Sequence, residues 1–271
     1  MRRLRSRRPS SRLGRGNRLL VAVALGLVAT SVGAAQPAAA AGLVARWPMN
    51  EQSGTVMNDV VSPPFENGTI GPLVGLMGDS FEFPGWKSNV STSGRLQGSV
   101  PAGGSLVEVP DPNRVFDPAP GLLVATELKT RLTLQGHLPT KAANGSSPSY
   151  NIVQKGRSDS PGGFWKLEMA GTGSNIGKIR CAIKDGTRSK VATSTRRVDD
   201  GAWHAVACEL AGGKLTAVVD GARSSVSASA LGAVHPGGRW GTSVWIGKKP
   251  GSTDPADAFA GWLRQAQISS L

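Results

Sequence analysis

Paired-carboxylate hydrolysis of a glycosidic bond calls for Asp or Glu at alternate positions of one strand, so that acid and nucleophile share a face. The chain contains no such run. Glu108-Val109-Pro110-Asp111 comes nearest, but its proline and its spacing spoil the pattern. Glu127 is flanked on its face by Ala125 and Lys129, and Glu168 by Lys166 and Ala170. A serine elbow, G-x-S-x-G, is missing, and so is the zinc motif H-E-x-x-H. The three histidines are scattered: His204 follows Trp203 at the start of a strand-like run, while His137 and His235 flank turns. The expectation is a protein with no catalytic residue.

Binding chemistry is better represented. Seven tryptophans stand against a single tyrosine, and a flat indole can cover the apolar face of a sugar ring. Trp47, Trp203, Trp245 and Trp262 fall in strand-like segments and are expected in the core; Trp165, after a glycine turn, fits either role. Trp86 (PGWKS) and Trp240 (GGRWG) sit in loops among Gly, Lys and Arg. They are the ligand-binding candidates, together with Arg239, and loop anchoring is the competing role. Arg196-Arg197, Arg239 and Lys248-Lys249 would suit an anionic polymer, although a solvated charged face explains them equally.

The elements that must position these groups read as short strands between turns. From Leu122, the residues Leu122, Val124, Thr126, Leu128, Thr130, Leu132 and Leu134 alternate with Leu123, Ala125, Glu127, Lys129, Arg131 and Thr133. Such a period of two belongs to a half-buried strand, because a helix would mix the two sets. Further strands are expected at 42–49, 80–83, 106–109, 150–155, 164–169, 178–184, 190–195, 202–210, 214–220, 244–247 and 259–268. Gly212-Gly213 and Asp220-Gly221 tolerate the positive φ angles that tight hairpins need. No dozen residues show a convincing helical period, and no linker or repeat divides the chain after residue 41.

Residues 1–41 are expected to be a cleaved signal peptide. Eight arginines and no acid precede the apolar run Leu19–Val32, which is short for a membrane span, and Ala39-Ala40-Ala41 offers a small-x-small cleavage site. The formal net charge of +13 belongs largely to this leader: the rest carries 23 basic and 18 acidic side chains, a net +5. That is an ordinary surface excess, which argues against a nucleic-acid partner. No second apolar span follows, so the expected product is extracellular, free of the membrane and monomeric. Cys181 and Cys208, 27 positions apart, each fall on a mainly apolar face of a nearby strand. In an exported protein this pattern points to one structural disulfide.

Asp200-Gly201-Ala202-Trp203-His204, followed by a strand and Val218-Val219-Asp220-Gly221, resembles the D-G-x-W-H … V-D-G signature of laminin-G-like domains of the concanavalin A-like lectin and glucanase superfamily. Trp47–Gly54 resembles the family's opening strand and turn, Val244–Gly247 a late strand, and Phe259–Leu263 the closing one. Asn151–Arg157, Gly162–Lys166 and the cysteine pair resemble secreted bacterial members. The resemblance covers nearly all of 42–271 and implies a two-sheet antiparallel jelly-roll β-sandwich with almost no helix; residues 94–104 read as a longer loop. It also implies calcium held by loop oxygens, for which Asp59, Asp79, Asp254 and Asp257 are the candidates; ordinary turn hydrogen bonding is the alternative for each. A shared fold does not carry a shared activity. The expected function is non-catalytic recognition of a polysaccharide, glycan or cell-surface polymer. The alternatives are a diverged polysaccharide hydrolase or lyase, and an adhesion module for a cell-surface protein.

Overall fold

A computed structural model describes residues 42–61, 66–84, 104–118, 121–130 and 148–271. All of them belong to one compact unit. In chain order the strands are β1 (Gly42–Trp47), β2 (Val56–Met57), β3 (Gly68–Ile70), β4 (Gly75–Leu76), β5 (Phe81–Phe83), β6 (Val107–Pro110), β7 (Leu122–Thr130) and β8 (Ser149–Lys155). There follow β9 (Phe164–Ala170), β10 (Lys178–Lys184), β11 (Ser189–Arg197), β12 (Trp203–Ala211), β13 (Lys214–Val219), β14 (Ala222–Ser227), β15 (Ser243–Ile246) and β16 (Gly261–Ser270). They form two antiparallel sheets, as a jelly-roll sandwich requires. The first runs β14-β13-β12-β7-β16-β5-β4, with β1 also paired to β16, and the second runs β11-β10-β9-β8-β15-β6-β3-β2.

The inward residues of each strand fill one core. Leu122, Val124 and Leu128 of β7, Leu263 and Ile268 of β16 and Phe81 and Phe83 of β5 face Val153, Leu167, Met169, Ile179, Val244 and Ile246 of the other sheet. The residues between them go outside. Leu123 and Ala125 of β7 therefore meet Ala207 and Val218 in a small separate cluster on the far side of the first sheet. Trp47 and Trp165 are buried in the core, where their indole N–H groups donate to the carbonyls of Glu66 and Phe116. Trp203 and Trp262 depart from the expected core placement. They lie half-buried on the outer face of the first sheet, opposite Lys129, because Leu128 and Leu263 take the inward positions.

Most expected strands occur within a residue or two of their sequence boundaries. β2, β3, β4 and β14 are additional. β14 has no apolar run to announce it, yet Asp220 (φ 48°) and Gly221 (φ 77°) form a two-residue turn that returns the chain along β13. The extension of the Leu122 alternation to Leu134 lies outside the described residues.

Three polar devices hold the sandwich. The Cys181–Cys208 disulfide, with Cα atoms 5.4 Å apart, joins β10 to β12 and so bridges the two sheets. Lys155, fully buried, pairs with both Asp111 and Asp117, while Asp111 also accepts the backbone N–H groups of Val115 and Phe116. This clamps the 111–118 loop against the edge of the core. His204 sits between Asp220 (2.8 Å) and Asp200 (2.9 Å), tying the start of β12 to the β13–β14 turn. Partial burial opposes its protonation, but the bonds to Asp220 and Asp200 outweigh burial and raise its pKa above 6.5.

Two outcomes follow from these devices. Replacing both cysteines by alanine is expected to lower stability by about 3.5 kcal/mol, the loop-closure value for this separation, with the far-ultraviolet circular dichroism of the sheets retained. The His204 contribution is present in full below the unfolded pKa and disappears as pH rises through the elevated folded value. The melting temperature should accordingly fall as pH is raised from about 6 into the alkaline range, and His204→Gln should flatten that part of the profile.

Candidate functional site

One row of outward side chains crosses the second sheet. Thr69 (β3) is opposite Glu108 (β6), Glu108 opposite Trp245 (β15), and Trp245 opposite Gln154 (β8). Each projects outward for the same local reason: its neighbours are the inward, buried residues, Val107 and Val109 beside Glu108, and Val244 and Ile246 beside Trp245.

The loop before β15 folds back over this row. The carbonyl of Trp240 accepts the N–H of Gly156 at 3.0 Å and the indole N–H of Trp245 at 3.4 Å. The two indoles meet edge to face, with centroids 6.0 Å apart. One edge of Trp240 lies on Gly251, where an added Cβ would come within 2.5 Å of the ring, so a side chain at 251 would displace the indole. The guanidinium of Arg239 lies over Trp240 at 4.5 Å and that of Arg157 at 5.5 Å. Arg157 is held in turn by the Pro250 carbonyl at 3.2 Å.

Between this loop and β3–β6 opens a cleft of about 360 Å³, lined by Thr69, Ile70, Pro72, Leu106, Glu108, Arg239, Trp240, Trp245 and Gly251 among others. Ser243 donates its hydroxyl to one Glu108 oxygen at 2.9 Å. The lining presents an exposed guanidinium, one carboxylate, a threonine hydroxyl and an apolar wall. Among the described lining residues, Glu108 is the one carboxylate. The groups present can donate to, accept from and pack against a polar ligand.

Of the sequence candidates, Trp240 and Arg239 come together here, and Trp86 lies outside the described residues. The expected open indole face is modified, since guanidinium groups occupy positions over the Trp240 ring. Trp245 was expected in the core. It is buried, but against Trp240 on the outer surface. Glu108 and Thr69 were not read as binding residues, although the Val-Glu-Val alternation marks Glu108 as outward. The role of Gly251 had no local signal.

The four aspartates expected for calcium have other partners. Asp59 accepts the backbone N–H groups of Arg46, Val61 and Glu66. Asp79 accepts the Ser80 hydroxyl. Asp254 accepts the Ala256 N–H, and Asp257 accepts Lys249 at 3.2 Å and the Ser252 hydroxyl at 2.7 Å. Among the described residues no three His, Cys, Asp or Glu side chains converge on one point.

Comparison with known proteins agrees with this architecture. No curated protein matches the sequence. Among solved structures, the binding domain of Paraclostridial Mosquitocidal Protein 1 superposes with a TM-score of 0.58 at 12% identity, covering 85% of this chain and 49% of that one. Domain 4 of AbnA, a GH43 extracellular arabinanase from Geobacillus stearothermophilus, solved with arabinotriose, gives 0.55 at 16%, covering 86% and 94%. The binding domain of botulinum neurotoxin DC, solved with SialylT, gives 0.53 at 11%, covering 85% and 48%. The chain thus spans about half the length of the first of these structures, and identities this low speak for the fold alone. Residues 139–270 match the laminin G-like family model of the concanavalin A-like lectin/glucanases superfamily, and over that stretch the chain is similar to this superfamily.

Proposed function

We propose that the chain is an exported, non-catalytic carbohydrate-binding domain that takes its glycan in the Glu108–Arg239–Trp240 cleft. The observation that carries this reading is the composition of the cleft. A rigid sheet presents Thr69, Glu108 and Trp245 in one row, and the Trp240 loop adds a guanidinium above them. Sugar hydroxyls both donate and accept, so Glu108 can accept from one and Arg239 donate to another, while Ile70, Pro72 and Leu106 pack against ring carbons. The described lining offers one carboxylate and one guanidinium, a set suited to hydrogen bonding with sugar hydroxyls. Related sandwiches solved with arabinotriose and with SialylT add general support for a glycan ligand.

A depletion assay against insoluble arabinan, xylan, chitin and peptidoglycan, with sialyllactose-coated beads alongside, tests the reading. Binding to at least one of these is expected, with a loss of roughly tenfold or more in Arg239→Ala and in Trp240→Ala, since hydrogen bonds to a charged group contribute about 1.5–3 kcal/mol. Binding should persist in chelator, because the contacts the cleft offers are a guanidinium, a carboxylate, a hydroxyl and apolar groups. No retention on any support, or full retention by both variants, overturns the assignment.

Export is part of the same proposal. When the full-length chain is expressed in a secreting bacterium, the protein in the medium should begin at Gly42, as read by N-terminal sequencing. A product retained in the cells with its arginine-rich leader intact would contradict it.

A further inference from the structure

On the outer face of the first sheet, β16 changes partner. Gly261–Leu263 pair with β5, and Ala266–Ser270 pair with β1. Between them the register against β7 slips, with Arg264 opposite Glu127 but Gln267 opposite Ala125. An extra residue of this kind is a β-bulge, which bends a strand and re-aims its side chains. Gln265 takes it up in the left-handed region, at φ 54°. On the chain that faces the bulge, Met49 does the same at φ 58°. Left-handed backbone costs a non-glycine residue about 1–2 kcal/mol, and such residues gather where a site demands a particular geometry.

The bulge opens a second cleft, of about 370 Å³, lined by Arg46, Pro48, Asn50, Gly78, Asp79, Glu127, Arg264 and Gln265. Its polar groups are held in place. The Arg46 guanidinium donates to Gln265 Oε1 at 2.8 Å, and Arg264 Nε donates to Glu127 at 2.7 Å. The Arg264 guanidinium also stacks over Trp203 at 4.2 Å. Asn50 and Asp79 enter from exposed turns on either side.

We propose that this cleft is a second carbohydrate-binding site, distinct from the Trp240 cleft and on the other sheet, which makes the domain bivalent for a neutral polysaccharide. The proposal rests on the reading of the chain as a glycan-binding domain and extends it. Two guanidiniums and two carboxylates balance in charge, so an anion or a cation would each meet a like charge. A neutral polyol meets acceptors at Glu127 and Asp79 and donors at Arg46, Arg264 and Asn50. A volume above 300 Å³ lies within the range of small-ligand clefts. The left-handed Gln265 has a local cost that a glycine would not bear; its Oε1 accepts from Arg46, and its amide N–H groups face the ligand as further donors.

The test uses the polysaccharide supports named above, with the wild-type chain, Trp240→Ala, Asn50→Ala/Asp79→Ala, and Gln265→Gly. Asn50 and Asp79 are exposed turn residues whose loss leaves the core intact. Gln265→Gly relieves the left-handed backbone, so it should keep or raise the melting temperature while weakening binding. A structural role for Gln265 predicts a lower melting temperature instead. The expected result is a roughly tenfold loss of retention in the Asn50/Asp79 and Gln265 variants, a residual binding in Trp240→Ala, and its abolition when the Trp240 and Asn50/Asp79 changes are combined. Cross-linking of a soluble form of the same neutral polysaccharide, read as turbidity, should require both clefts. Binding lost in Trp240→Ala but unchanged in the Asn50/Asp79 and Gln265 variants overturns the second site and leaves the first standing. No binding by the wild type to any support overturns both.

Discussion

The two sheets pack their inner faces against each other around Trp47, Phe81, Phe83, Tyr150, Leu167 and Phe259, all fully buried. Side chains on a strand alternate between faces, so filling that core commits every second residue of the central strands to the outside. A slip of one residue in any of them would carry core residues into water and polar residues inward. The outer rows are therefore consequences of the core. Thr69, Glu108, Trp245 and Gln154 stand in line on one sheet because Ile70, Val107, Val109, Val244, Ile246 and Val153 face the interior of the sandwich.

Polar groups inside the sandwich add position to this non-directional packing. The buried Lys155 answers two carboxylates, and those carboxylates stay satisfied through Lys155, His235 and backbone N–H groups. Buried ion pairs of this kind contribute little net stability, yet removing one partner strands the others, so the arrangement tolerates one loop conformation. The disulfide has a similar directional role between the sheets, linking β10 and β12 at a point where both strands turn a cysteine inward.

Against this frame the two outer faces differ in how their clefts arise. On the second sheet a loop folds back over a regular row, and Trp240 is seated by Gly251 and by the guanidiniums of Arg157 and Arg239. On the first sheet the strand itself is irregular, and the turns at Asn50 and Asp79 flank the opening. The bulge in β16 turns Gln265 toward Arg46, and the change of partner from β5 to β1 leaves the opening. Both clefts rest on strands whose opposite sides are buried, which limits their mobility and suits binding without rearrangement.

Much of this was legible along the chain. Period-two alternation marked β7, β10 and β12, since burying one face of a strand leaves a local record in residue type. Gly212-Gly213 and Asp220-Gly221 marked hairpins, since only a few residue types accept positive φ. Cys181 and Cys208 could be placed on apolar faces, and Trp240 and Arg239 could be recognised as loop residues available to a ligand. Where a tryptophan would end up was less legible. Trp203 and Trp262 lie outside although they are large and apolar, because the facing of a whole strand is decided by its best-packed alternation and not by any one side chain. What the sequence by itself determined was most of the longer strands, their hairpin turns and the alternation of faces along them. Which strands became neighbours was decided only by the tertiary structure. Glu108 reaches Trp245, and Arg46 reaches Gln265 from 219 positions away, through strand order and a single bulge. These arise from the joint packing of both sheets and leave no local periodicity to read.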